Sequence, residues 1–98
     1  MRIIIIEDDK KQCYLLQFQL EQEGYAVDVC FDGADADYYL SQNAYDIVLL
    51  DRMLPNKDGI TILQEMRAKQ NMTPVILLTA LGELSDKITG LDSGADDY

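Results

Sequence analysis

The sequence predicts an α/β protein built on a doubly wound parallel sheet, and three observations support that. Ile3-Ile4-Ile5-Ile6, Ile47-Val48-Leu49-Leu50 and Val75-Ile76-Leu77-Leu78 are unbroken apolar runs of strand length. Unbroken runs suit strands covered on both faces, whereas a half-exposed antiparallel strand alternates apolar with polar residues. Between the runs, apolar residues recur at helical spacing, and strands alternating with helices imply parallel pairing through right-handed crossovers. A chain of 98 residues makes at most one domain, and its 48% apolar content can fill a small core.

Each element follows in order. The first strand, Ile3 to Ile6, runs straight into Glu7-Asp8-Asp9. In the first helix Cys13, Leu16 and Leu20 recur at i, i+3 and i+7, with Gln17, Gln19, Glu21 and Gln22 expected on the outer face. Gly24 is the expected C′ residue. Ala26 to Cys30 is a short second strand, broken by Asp32-Gly33. Ala36, Tyr39 and Leu40 mark one face of a second helix expected to end near Asn43. The third strand ends at Asp51, after which Pro55 and Asp58-Gly59 turn the chain. A third helix sets Ile62, Leu63 and Met66 inward, with Gln64, Glu65, Arg67 and Lys69 outward, until Thr73-Pro74 stops it. The fourth strand, Val75 to Leu78, delivers Thr79-Ala80 to its end. Leu84, Ile88 and Leu91 then predict a shorter fourth helix closing at Gly94, before Asp96-Asp97-Tyr98.

Composition narrows the function classes. Eighteen acidic residues against eight basic ones give a net charge of −10, which argues against nucleic-acid binding by these residues. No stretch approaches the roughly 20 apolar residues that span a bilayer. The apolar run after Met1-Arg2 is too short for a secretory signal, so the expected compartment is the cytoplasm. Cys13 and Cys30 lack a C-x-x-C spacing and read as buried free thiols.

The chemistry gathers at the strand ends. In open parallel sheets, ligands bind outside the carboxyl ends of the strands. Here the first strand brings Glu7 and Asp8 to that rim, the third brings Asp51 and the fourth Thr79. Taken singly, Asp9 reads as a helix cap and Asp58 as a turn or cap residue. An acid directly after four buried apolar residues, as Asp51 is, has no comparable structural task. Three carboxylates held together raise the pKa of at least one of them unless a cation sits among them. Magnesium fits, since it takes oxygen ligands and usually keeps waters and a phosphate. Beside it a carboxylate can attack a phosphoryl group, and a hydroxyl such as that of Thr79 can bond a phosphate oxygen.

These residues resemble the receiver domain of bacterial two-component response regulators. The resemblance rests on Ile3 to Asp8, on Asp51-x-Met53-Leu54-Pro55 with Asp58-Gly59, on Val75 to Ala80, and on Gly90-Leu91-x-x-Gly94-Ala95-Asp96-Asp97-Tyr98. The motifs stand in the family's order and spacing and span nearly the whole chain. They look most like the DNA-binding subfamily with a C-terminal winged-helix effector. The resemblance implies that Asp51 accepts phosphate from the phosphohistidine of a sensor histidine kinase. It implies that Asp8 binds magnesium directly, Glu7 through water, and Met53 through its backbone carbonyl. Thr79 matches the switch hydroxyl, Ala80 the small residue that leaves the phosphate accessible, and Tyr98 the aromatic switch. A phosphorylation switch of this kind is a two-state element biased by a local charge. The implied role is that of a phosphoacceptor promoting only its own phosphotransfer and dephosphorylation, not of an enzyme acting on a separate substrate.

The chain departs from the family pattern after Tyr98. The family lysine three residues further on, the rest of a fifth strand and a fifth helix are not in this sequence. The expectation is therefore a C-terminally truncated receiver of order 2-1-3-4-5, lacking most of strand five and helix five. The effector domain is likewise absent, and DNA binding is expected only through it. If about 400 Å² of apolar surface is uncovered, about 10 kcal/mol of burial is lost. That rivals the stability of a small domain. Self-association through the fourth strand's edge, or by exchange of elements, is the expected remedy. Magnesium binding is expected to survive, with stable phosphorylation impaired.

Other classes fit less well. Metal-dependent phosphotransferases or phosphatases on similar sheets commonly need a second acid where Met53 stands. A dinucleotide-binding fold needs glycines where Glu7-Asp8-Asp9 stand, and those acids would repel a pyrophosphate. The remaining alternative is a receiver-like interaction or dimerisation module that no longer switches.

Overall fold

The computed structural model describes residues 1–42 and 44–78. Along the chain run β1 (Arg2–Ile6), α1 (Lys10–Gln22), β2 (Ala26–Cys30), α2 (Gly33–Leu40), β3 (Ile47–Asp51), α3 (Gly59–Ala68) and β4 (Val75–Leu78). The strands form one parallel sheet in the order β2-β1-β3-β4. This is the doubly wound order expected for the first four strands. The helix expected around Leu84 to Leu91, and everything placed on Thr79 to Tyr98, lies outside the described residues.

Side-chain parity divides the sheet into two faces. Ile4, Ile6, Val48, Leu50, Val75 and Leu77 join α2 and α3 in one core. Ile3, Ile5 and Val27 join Cys13 of α1 in a second, smaller one. Both cysteines are buried free thiols, as read from the sequence.

The three described helices start in the same way. Asp9, Asp32 and Asp58 are the N-caps of α1, α2 and α3, accepting from the backbone N–H groups of Gln12, Ala34 and Ile60. Gly24, at φ +95°, is the C′ residue that closes α1. Two expectations need correction. Gln17 does not sit on the outer face of α1; its Nε2 donates to the Val27 carbonyl at 3.1 Å, which places it beside Cys13. The helix α2 ends at Leu40, short of Asn43, and the Ser41 hydroxyl donates to the Tyr38 carbonyl at 2.8 Å across its last turn.

The end of the sheet away from the strands' carboxyl ends is laced by polar groups. The Tyr45 hydroxyl donates to Asp28 Oδ2 at 2.6 Å, and Arg2 Nη2 reaches the same oxygen at 2.9 Å. The Arg2 backbone N–H donates to Asp46 Oδ2 at 2.7 Å. Strands β1 and β2 and the entry to β3 are thus tied together by side chains as well as by their ladders.

Candidate metal centre

Register alone brings the acids together. Ile6 of β1 pairs with Leu50 of β3, so Glu7 and Asp51 are next in line on adjacent strands. Glu7 shares the parity of Ile5, and Asp51 that of Leu49, so their side chains leave the sheet on the same side. Asp8 follows on the loop into α1. One carboxylate oxygen from each of Glu7, Asp8 and Asp51 lies within 4.8 Å of the others. The structure therefore assembles the three acids that the sequence placed on one rim.

Burial differs within the trio: Glu7 is 8% exposed, Asp51 half-buried and Asp8 exposed. Burial pushes the Glu7 carboxyl up to about 7, and hydrogen bonding and charge from Asp51 and a hydrogen bond with Asp8 push the same way. The Asp9 backbone N–H, donating to Glu7 Oε1 at 3.1 Å, opposes that rise. Burial is thus the leading cause of the rise, and the neighbouring acids add to it. The donors are hard oxygens bearing negative charge, and that chemistry fits a hard divalent cation.

The loop after Asp51 is drawn tightly against the rim. The Met53 backbone N–H donates to Asp51 Oδ1 at 3.1 Å, and the Met53 side chain is exposed. The Arg52 N–H donates to the Leu78 carbonyl at 3.2 Å, and the Gly59 N–H returns to the Arg52 carbonyl at 3.0 Å. A Cβ on Gly59 would stand 2.3 Å from the Asp51 carbonyl oxygen, so only glycine lets α3 begin this close to the strand end. In the sequence the Asp58-Gly59 pair is a turn signal, and this contact leaves no mark there. Met53 stands on this loop beside Asp51, whereas Thr79, Ala80 and Tyr98 lie outside the described residues.

Comparison with known proteins follows the same lines. A family model described as "Response regulator receiver domain" matches residues 3–98. The chain is 45% identical over 98 residues to the transcriptional regulatory protein DltR of Streptococcus agalactiae, covering all of this chain and 44% of that protein. It is 42% identical over 97 residues to the response regulator ArlR of Staphylococcus saprophyticus, covering 99% of this chain and 44% of that one. The chain thus spans less than half the length of these relatives. Among solved structures, a Francisella response regulator 1452 receiver domain superposes with a TM-score of 0.95 at 39% identity, covering 99% of this chain and 80% of that one. A BeF3-activated N-terminal receiver domain of Klebsiella pneumoniae RstA also gives 0.95, at 36% identity, covering 100% and 83%.

Proposed function

Because the chain belongs to the response regulator receiver domain family, we propose that it is a phosphorylation-activated switch with Asp51 as phosphoacceptor. The observation that carries this is the convergence of Glu7, Asp8 and Asp51 within 4.8 Å at the carboxyl ends of β1 and β3. Asp51 extends β3 into the mouth of the site, where the Met53 N–H donates to its Oδ1 and helps hold the carboxylate that acts as nucleophile. A carboxylate oxygen attacks the phosphorus of a sensor kinase phosphohistidine. The new O–P bond forms as the N–P bond breaks, and the departing imidazole nitrogen keeps the bond's electron pair.

Asp8 and Asp51 would hold magnesium directly, Glu7 through water and Met53 through its carbonyl. When bound, the ion offsets the repulsion between the attacking carboxylate and the anionic phosphoryl group. A bound cation would favour the ionised Glu7 carboxylate, so its binding would be linked to pH. Thr79 is proposed to donate a hydrogen bond to the phosphoryl group, with Ala80 keeping the approach open and Tyr98 reporting the switched state. The chain promotes only its own phosphorylation and dephosphorylation. Its output runs through a DNA-binding effector domain in the cytoplasm.

The test is incubation with magnesium and a small acyl-phosphate donor, followed by intact-mass measurement. One phosphoryl group is expected on the wild type, none on Asp51→Asn, and none with excess chelator. A phosphoryl group retained on Asp51→Asn would overturn the assignment.

Ile47, Leu49, Ile76 and Leu78 form a half-buried apolar strip beside α1, over β3 and β4. This strip favours self-association on the β4 side of the sheet, by edge pairing or by exchange of elements. A receiver-like module that pairs without switching is the alternative reading. Sedimentation at micromolar concentration is expected to show a dimer; a cooperatively melting monomer would refute it.

A further inference from the structure

We propose that Asn56 and Asp32 form a positioning clamp for the loop that carries Met53, tying the start of α2 to the metal rim. The role assigned to that loop rests on the metal-site reading above; the clamp's geometry does not. The loop covers residues 52–58, between β3 and α3. Its ends are fixed through the backbone, by Arg52 on β4 and by the return bond from Gly59 to Arg52. Its tip is fixed by a side chain.

Asn56 holds φ +67°, a left-handed conformation that asparagine tolerates better than most non-glycine residues. From there its Nδ2 donates to Asp32 Oδ2 at 2.9 Å. The other oxygen of the same carboxylate, Oδ1, accepts from the Ala34 N–H at 2.8 Å and so caps α2. One side chain therefore anchors a helix start and a loop tip together. Its position is further set by the Cys30 thiol, which donates to the Asp32 carbonyl at 3.2 Å.

The next residue closes the second contact. A Cβ on Gly33 would stand 2.5 Å from the Lys57 carbonyl oxygen, so the first turn of α2 lies flat against the loop. Lys57 Nζ also reaches Glu65 Oε2 at 2.8 Å, which holds the tip to α3. Met53 sits between these anchors, with its N–H on Asp51 Oδ1. A backbone carbonyl ligates best where its loop is already ordered, and removing the outer support of a ligand typically weakens metal binding 10- to 100-fold. Asn56 is accordingly a positioning residue, and a shift of the α2 start passes to the Met53 loop through it.

Four variants and two readouts test the clamp. Asn56→Gly tolerates the left-handed backbone and removes the side-chain bond, and because it also frees the backbone the amide–carboxylate exchange is the deciding arm. Asn56→Asp sets two carboxylates against each other, and combining it with Asp32→Asn exchanges amide and carboxylate at unchanged net charge while leaving an oxygen to cap α2. The readouts are amide hydrogen exchange of residues 52–57 in metal-free protein, and magnesium titration followed at the Met53 amide. Asn56→Gly is expected to speed loop exchange and weaken magnesium binding about tenfold, and Asn56→Asp to speed loop exchange. The exchanged pair is expected to restore both readouts to wild-type values. Asp37→Ala, which breaks the α2 contact with Lys69 away from the loop, is expected to move neither. Unchanged loop exchange in Asn56→Gly, failure of the exchanged pair to restore it, or an equal effect of Asp37→Ala would overturn the clamp. A wild type that does not respond to magnesium would sink the metal reading, while loop exchange would still decide the clamp.

Discussion

The two faces of the sheet are finished differently. On the side of α2 and α3, Ile4, Ile6, Val48, Leu50, Val75 and Leu77 are no more than 1% exposed. On the side of α1, Ile3, Ile5 and Val27 are buried, but Ile47, Leu49, Ile76 and Leu78 are only half-covered. From Ile47 to Leu50 and from Val75 to Leu78, β3 and β4 are apolar toward both sides, so the difference there comes from what lies over them. Among the described residues, α1 is the one helix on its face, and it packs on β1 and β2. Glu7 and Asp51 leave the strands with the parity of this less covered face. Among the described residues, the α2–α3 face is thus the more completely packed of the two.

Neighbouring residues of β4 offer the largest test of that contrast. Leu77→Lys would bury an unpaired charge in the packed face, a cost of several kcal/mol that rivals a small domain's whole stability. Loss of the cooperative melt is the expected outcome. Ile76→Lys, pointing the other way, is expected to keep the melt and weaken self-association. Identical behaviour of the two variants would erase the distinction between the faces.

A gentler version uses β3. Leu50→Ala is expected to cost about 4 kcal/mol in denaturant unfolding, and Leu49→Ala about half as much because its side chain is already partly in water. A cost for Leu49→Ala equal to that for Leu50→Ala would show that the α1 side is as tightly packed as the other.

The Glu7 carboxyl yields a pH prediction. Its folded-state value of about 7 stands above the ordinary 4.5, so the native state binds the extra proton between those limits. The stabilisation is full below 4.5 and is lost as pH rises through 7. In metal-free protein Glu7→Gln is expected to remove this decline, raising the melting temperature at pH 8 by on the order of 5 °C. A wild-type melting temperature that fails to fall across this window relative to Glu7→Gln would contradict the burial argument. Magnesium added at pH 8 should recover stability in the wild type by binding only the folded state. Smallest of all is Asp37→Asn. Its carboxylate is held below the usual range by the Lys69 ammonium at 2.8 Å, yet both groups are exposed. No resolvable change in unfolding midpoint is expected, as for surface ion pairs generally.

How much of this was legible depended on the range of the cause. Strand runs such as Ile3 to Ile6 are local signals, and a parallel sheet makes them unusually plain. Which face each residue takes was not legible, because apolar residues occupy both parities and only the pairing of Ile6 with Leu50 sets them. Gln17 was misplaced because polarity suggested water, whereas its amide satisfies the Val27 carbonyl across ten residues. Glu7, Asp8 and Asp51 could be found from their position after strands. The deep burial of Glu7 could not, since it depends on the elements packed around it. Asn56 was silent for a similar reason, and Gly33 and Gly59 were legible only as breaks: the contacts of these three with Asp32, Lys57 and Asp51 follow no periodicity.

The shared aspartate caps have a consequence for traffic to this protein. Helices that follow parallel strands begin where those strands finish, so Asp9, Asp32 and Asp58 crowd the same pole of the molecule as Glu7, Asp8 and Asp51. In a chain of net charge −10, that pole becomes an electrostatic funnel, drawing cations inward and turning free anions away. A small free phosphate ester would meet an uphill approach until a bound cation offset that charge. A phosphoryl group delivered on another macromolecule's docked surface would be carried past that barrier.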